Sequence, residues 1–340
     1  MKLLSIPKDF SSVLSDSHFC FGELSAEVPV EVEFWSDTPE GEVMLGCKRY
    51  LGSTTIAASP ATYLRRGFAP KPRFFNNSAF FYPEGRNLST FVRWDGGSQG
   101  GGTQSSSKVL FVASQRDLEV GTVVDAGDTM RQIARGERDE VGFCVPESTQ
   151  MTMEMKFPNG QTISLNQNSG TKAGLWILSV DVEWVLSRMP DAEGVDSFEL
   201  VLKIAGSKVA AIHYDIVERP TSAVRLGWLD GAGTIAFHTF PVAMEERMQT
   251  ERKQFEVVDG GAVVASIEGF WAQRLRSGAL SKGDFERLSG LLTSPLVWRI
   301  YADGSFEQVA IISAEAGAGG SKGAAEVSVV VRPQCKQRYW

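Results

Sequence analysis

The chain has 340 residues, 43% hydrophobic and 22% charged, with a formal net charge of -7. This composition is ordinary for a globular protein and excludes wholesale disorder. The negative balance disfavours nonspecific binding to nucleic acid or to a bilayer. At roughly 150 residues per domain, the length predicts two or three units, each able to bury its own core. The apolar stretch at residues 3–6 is too short for a secretory signal and ends at Pro7, Lys8 and Asp9. No run of about 18 apolar residues is present to cross a membrane as a helix. The expectation is a chain made in the cytoplasm without a signal peptide, with neither a membrane nor a nucleic-acid partner. Cys20, Cys47, Cys144 and Cys335 are scattered, form no C-x-x-C pair, and read as free, mostly buried thiols.

In chain order, the first clear element is the alternation of Val28, Val30, Val32 and Phe34 against Glu31, Glu33 and Trp35, the period-two signature of a strand. The stretch 95–107, DGGSQGGGTQSSS, cannot bury apolar surface and predicts a loop. Residues 128–135 fit a short helical turn. Met151, Met153, Met155 and Phe157 then alternate with polar residues. Asn159-Gly160 predicts a type I′ turn with both residues at positive φ, returning through a strand at 162–165.

Trp176, Leu178, Val180, Val182 and Trp184 predict a further strand. So do Phe198, Leu200, Leu202 and Ile204, then Ile212, Tyr214 and Ile216, then Val224, Leu226 and Trp228. Residues 262–276 fit a helix, although Val263, Val264 and Ile267 suit a strand equally. The clearest helix is 281–293: Ser281 and Asp284 have capping-box spacing, Phe285, Leu288, Leu291 and Leu292 recur at helical intervals, and Pro295 stops the run. Strands at 296–301 and 306–312 flank an Asp303-Gly304 turn. A second glycine-rich stretch covers 316–323, and 326–332 reads as a last, valine-rich strand.

These patterns predict a mainly β chain: a multi-domain β-sandwich architecture with one or two short helices in the C-terminal part. The divisions are an N-terminal β domain at 1–140 with the 95–107 loop, a small β-sandwich at 141–220, and a C-terminal β domain at 221–340 with the 281–293 helix.

Motifs for chemistry are scarce. The histidines are His18, His213 and His238, without H-E-x-x-H spacing or a His/Cys cluster. There is no G-x-S-x-G elbow. The first glycine-rich stretch is not a phosphate loop, because Lys108 opens the apolar run 109–113 instead of a helix. Glu137, Asp139 and Glu140, interspersed with Arg131, Arg135 and Arg138, read as a solvated turn with local ion pairs. A hydrolase with two carboxylates converging from separate strands stays open. No catalytic residue, metal or cofactor is expected. Trp94, beside the glycine-rich stretch, and Trp35 are candidate exposed platforms for a glycan or a partner, since a flat ring stacks on a sugar face. The terminal Arg338-Tyr339-Trp340 either docks on a neighbouring surface or frays.

Five segments carry a family resemblance: VPVEVEFW at 28–35, SPATYLRRGF at 59–68, RQIARGERDEVGF at 131–143, RLGWLDGAGTIAFHTF at 225–240, and LSGLLTSPLVWRIYADGSFEQVAI at 288–311. Together they resemble tail- or baseplate-associated proteins of Bacteroidetes phages and prophages. In similar sequences the 225–240 segment often carries asparagine where Asp230 stands here, and an acidic-aromatic pair where Thr234-Ile235 stands. The resemblance implies a non-enzymatic structural or assembly subunit of a tail-like particle, associated with the virion. Its partners would be other particle proteins or further copies of itself. A carbohydrate-binding or adhesin module is the alternative.

Overall fold

The computed structural model describes residues 1–15, 17–24, 27–51, 53–74, 77–95, 102–124, 130–189, 194–256, 260, 262–318, 325–333 and 337–339. The first stretch carries β1 (Lys2–Ser5), β2 (Ser11–Ser12), β3 (Phe19–Gly22), β4 (Val30–Thr38), β5 (Gly41–Tyr50), β6 (Ile56–Ala58), α1 (Ala61–Gly67), β7 (Ala79–Phe81), β8 (Asn87–Asp95), β9 (Thr103–Ser105) and β10 (Val109–Val112). Next come β11 (Met130–Ala134), β12 (Arg138–Val145), β13 (Gln150–Lys156), β14 (Thr162–Asn168), β15 (Gly174–Asp181), α2 (Val182–Ser187), β16 (Ser197–Ile204) and β17 (Ser207–Val217). The last stretch holds β18 (Val224–Leu229), β19 (Ile235–Phe240), β20 (Val242–Glu256), β21 (Ala262–Arg276), α3 (Lys282–Thr293), β22 (Val297–Ile300), β23 (Phe306–Ala318), β24 (Ala325–Pro333) and β25 (Gln337–Tyr339). The chain is mainly β, as its alternating patterns predict.

The centre is a three-stranded sheet in the order β12-β15-β7. Both long strands are buried on both faces, and period two divides their side chains between two cores. Val141, Phe143, Val145, Trp176, Leu178 and Val180 face a five-stranded sheet ordered β11-β17-β16-β13-β14, against Met151, Met153, Met155, Leu200 and Leu202. Cys144, Leu175 and Ile177 face the opposite way, toward Phe10, Val112, Leu118 and Ala232. The first stretch adds a six-stranded sheet along β2-β10-β8-β4-β5, with β9 on β8. Its core of Phe19, Phe21, Val32, Phe34 and Phe111 is shared with the small sheet β1-β3-β6. The last stretch forms an eight-stranded sheet along β19-β18-β22-β23-β24-β21-β20, with β25 on β21. Helix α3 packs Leu288 and Leu291 onto this sheet against Val309, Val327 and Val329.

Several local expectations change. Residues 130–134 form a strand parallel to β17 rather than a helical turn, and 128–129 lie outside the described residues. Residues 262–276 form β21, because β20 and β24 supply ladder partners that local pattern cannot reveal. The strand predicted through Trp184 stops at Asp181, whose carboxylate accepts the Trp184 N–H at 3.0 Å and caps α2. Helices α1 and α2 lie outside the C-terminal part, while α3 starts as expected, with Ser281 accepting the Asp284 N–H at 3.0 Å. Residue 140 falls inside β12, and β7 pairs with β15, so the first and middle stretches share the central sheet. Residue 220 lies between β17 and β18.

The two expected hairpins form with a different turn. At 157–161 the Phe157 N–H donates to Gln161 and the Gly160 N–H donates back to Phe157, both at 3.0 Å. Gly160 alone is left-handed, at φ 83°, and the Asn159 side chain accepts the Gln161 N–H at 3.0 Å. This is a three-residue loop ending in a glycine bulge, not a type I′ turn. Residues 301–305 repeat it, with Gly304 at φ 82° and Asp303 accepting the Ser305 N–H at 2.8 Å. The turn with two positive-φ residues is Ala205-Gly206, between β16 and β17.

Candidate functional site

The carboxylates of the charged stretch 131–140 are not solvated, although Arg135 is exposed. Glu137, Asp139 and Glu140 are 3%, 2% and 2% exposed, and each is held by arginine. They enter the interior because the β11–β12 connection runs between layers. Gly136, at φ 77°, tightens that turn, and the Glu137 carboxylate folds back onto the Ala134 N–H at 3.0 Å. Adjacent residues of β12 point to opposite faces, so Asp139 and Glu140 serve different layers.

On one face, Arg131 donates to Asp139 at 2.6 Å and the Tyr214 hydroxyl donates at 3.0 Å, while Arg287 from α3 reaches it at 3.3 Å. On the other face, Arg86 grips both oxygens of Glu140 at 2.7 and 3.2 Å, and the Ile235 N–H donates to the same carboxylate at 3.1 Å. Glu137 accepts from Arg225 at 2.6 Å and from the Thr239 hydroxyl at 2.7 Å. Arg138 closes the cluster on Asp181 at 2.7 Å. One buried hub therefore ties Arg86 of the first stretch and Arg225, Thr239 and Arg287 of the last to carboxylates of the middle one.

The electrostatics follow from that pairing. Burial alone would raise the Asp139 carboxyl, but the Arg131 and Arg287 charges outweigh it and hold it at about 2. Burial likewise opposes ionisation of Glu137, and Arg225, the Ala134 N–H and Thr239 bring it below the usual carboxylate range. Burial, reinforced by the Asp139 charge, pushes the Tyr214 phenol up. A catalytic acid or base must reach a substrate proton. These carboxylates instead spend their lone pairs on arginines, hydroxyls and backbone N–H groups, so the arrangement suits cross-bracing.

Two clefts adjoin the Asp230 loop, and the second reaches the hub at Arg287. One, of about 380 Å³, is largely apolar and lined by Leu14, Phe68, Pro70, Leu229 and Leu296. The other, of about 570 Å³, holds Arg116, Asp230, Glu286 and Arg287. Asp230 takes the Ala232 and Thr234 N–H groups at 2.8 and 2.9 Å, so it organises its own loop.

The aromatic candidates separate. Trp94 is 5% exposed and meets Phe21 edge-on at 5.1 Å inside the first core. This corrects the expected platform, since a ring enclosed on both faces has none to offer a sugar. Trp35 is half-buried. Phe91 stacks on its ring at 6.4 Å, the Arg93 guanidinium sits 4.3 Å from its centroid, and its indole N–H donates to Glu33 at 2.9 Å. The more open tryptophan is Trp271 on β21, at 52% exposure, which pattern reading does not single out. Residues 96–101 and 319–324 of the glycine-rich stretches, Cys335 and Trp340 lie outside the described residues. The backbone at 337–339 pairs with β21. The hub arginines Arg86, Arg225 and Arg287 were also not singled out. Their available signal was weak: Arg225, for example, is one arginine inside the apolar run VRLGWL.

The remaining feature is a two-stranded ribbon. Strands β20 and β21 run fifteen residues each and pair from Val242↔Arg276 to Glu256↔Ala262. Among the described residues, β24 pairs with β21 at Gln273–Arg276 and β25 pairs with it at Ile267–Gly269.

No protein-family model matches this chain, and no curated protein matches it. Among solved structures, a chain from the tail of an empty gene transfer agent particle, refined helically in C6 symmetry, is similar at 14% identity over 34% of this chain and 96% of its own, with a TM-score of 0.22. A chain from the virion of a native gene transfer agent particle is similar at 12% identity over 36% of this chain and all of its own, with a TM-score of 0.21.

Proposed function

We propose that this chain is a non-enzymatic structural subunit of a phage or prophage tail-like particle, and that the β20–β21 ribbon is its principal assembly contact. The carrying observation is the ribbon's pairing: among the described residues, most of its ladder runs only between the two strands. An isolated two-stranded hairpin is at best marginally stable in water. A ribbon this long gains its stability by lying on another surface, which a particle supplies. The exposed Trp271 at its base adds a large aromatic contact. The buried hub supports the reading differently, since it braces the three stretches into one rigid piece suited to repeated stacking. The segment resemblance supplies the particle class.

The test replaces residues 247–270 with a short glycine-serine link and leaves the β21–β24 pairs intact. Wild-type chain is expected to co-sediment with tail-like particles from the producing cells and to be identified in them by mass spectrometry. The shortened chain is expected to fold, by circular dichroism, and to be missing from particles. Wild-type chain that never co-sediments with particles overturns the function. A shortened chain that incorporates normally overturns the ribbon's role.

A further inference from the structure

Two outer strands of the described sheets, β5 and β11, are guarded. On β5, Tyr63 donates its hydroxyl to the Cys47 carbonyl, the pairing with β4 contains a bulge, and the strand carries Glu42, Lys48 and Arg49. On β11, the Glu137 carboxylate occupies the Ala134 N–H. Charges, bulges and capping side chains are the devices by which proteins keep an edge from recruiting another strand. β14 carries neither a charge nor a bulge, and its capping contact lies at the C-terminal end, where the Gln167 side chain donates to the Asn168 carbonyl at 3.0 Å. It is seven residues long, TISLNQN, and its register with β13 runs without a shift from Lys156↔Thr162 to Gln150↔Asn168. No charged residue occurs from 157 to 171.

The backbone groups left over can be identified. The Phe157 N–H bonds to the Gln161 carbonyl. Antiparallel pairs alternate between hydrogen-bonded and non-bonded, so residues 163, 165 and 167 also point their amides at β13. Thr162, Ser164 and Asn166 then point theirs outward, where they meet no partner among the described residues. Ile163 and Leu165 face the core opposite Met155 and Met153 but are only half-buried, and no further strand among the described residues pairs beyond β14.

We infer that β14 pairs antiparallel with β14 of a second copy, about a two-fold axis at Ser164. In this register Ser164 faces Ser164 of the second copy, and Thr162 faces its Asn166. Thr162, Ser164 and Asn166 thereby form bonded pairs, while the fourth outward residue, Asn168, lies beyond the paired stretch. Ile163 faces Leu165 in the close non-bonded positions, twice by symmetry, and the two cores join as one ten-stranded sheet. A one-residue slip would oppose outward to inward amides. A two-residue slip would set Ile163 against Gln167 in one direction and Leu165 against Gln161 in the other. A strand that satisfies its own edge this way identifies the second copy as the partner, through an isologous contact. The inference rests on the β14 edge alone and does not depend on the particle reading.

The test is sedimentation of the purified full chain over a range of concentrations. The expected result is a reversible dimer. Ser164→Pro removes the outward N–H and leaves the β13 ladder intact, and Ser164→Lys places like charges on the axis; both are expected to give monomers with unchanged circular dichroism. Under mild oxidation Ser164→Cys is expected to form a disulfide-linked dimer, whereas Asn166→Cys and the wild-type chain do not. A wild-type chain that stays monomeric at every concentration overturns the inference. So does a dimer that survives in folded Ser164→Lys, or one cross-linked as readily by Asn166→Cys.

Discussion

At the residue scale, arginine pairing outweighs desolvation at Glu137 and Asp139, and Arg86, Arg225 and Arg287 reach the hub from distant parts of the chain. Arg86 and Glu140 show the consequence. Both are nearly inaccessible, with side-chain exposure of 2% each, and their contact is bidentate. Removing one partner strands an uncompensated charge, which costs about 3–5 kcal/mol. Arg86→Met and Glu140→Leu should each lose that much in chemical denaturation. The double variant should recover much of it, because an apolar pair leaves neither charge unpaired. Equal additive losses would show that the two residues act independently.

His238 supplies the pH dependence at the same scale. Its ring packs edge-on to Phe240 at 4.9 Å, and its Nε2 is buried without a hydrogen-bond partner among the described residues. Burial, then the Arg287 charge, lowers its pKa to about 4, with Arg225 adding to the effect and Asp284 and Glu137 opposing it. The ordinary value is about 6.5. A histidine held neutral in the fold contributes stability that is full above about pH 6.5 and lost as pH falls toward 4, because the unfolded chain takes up the proton first. The gap corresponds to at most about 3 kcal/mol. Asp139 adds a later loss, between the ordinary carboxyl value of about 3.9 and its folded value of about 2. Melting temperatures measured from pH 7 to 4 should fall in the wild-type chain, and His238→Leu should flatten that slope. An unchanged slope would move the acid sensitivity to other groups.

At the element scale, what could be read from the sequence was what local chemistry decides. Met151, Met153 and Met155 alternate toward one core, and all three are fully buried. Ser281 caps α3 as its spacing predicts. The two glycine hairpins fall at the predicted dipeptides, with the detailed turn set by strand twist and by an Asn or Asp side chain bonding two residues on. What could not be read depends on distant partners. β11 looks like a charged turn until Asp139, Glu140 and Tyr214 receive Arg131. β21 fits two periods until β20 and β24 supply its ladders. Trp94 beside a glycine-rich stretch suggests exposure, yet its strand lies between β4 and β10 and buries the ring. The hub was half visible, because its carboxylates cluster in sequence and most of its arginines do not.

At the scale of the whole molecule, the two proposed contacts have different symmetry, and that difference can be measured. A strand pairing with its own copy closes at two subunits. A ribbon that lies on a different surface of the next subunit is heterologous, and heterologous contacts build rings or continuing stacks. Rings stacked in one direction cannot also be related by the two-fold axis at Ser164 between successive layers. If both proposals hold, the β14 pair belongs to the free subunit, and entry into a particle exchanges it for ribbon contacts. This exchange is feasible because one strand pair is a small interface, in the weak and transient class. The expected outcome is that Ser164→Cys chains cross-link when purified alone, while the same chains in intact particles stay reduced and react with a thiol reagent. Cross-linked dimers recovered from intact particles would make β14 a particle contact and remove the proposed exchange.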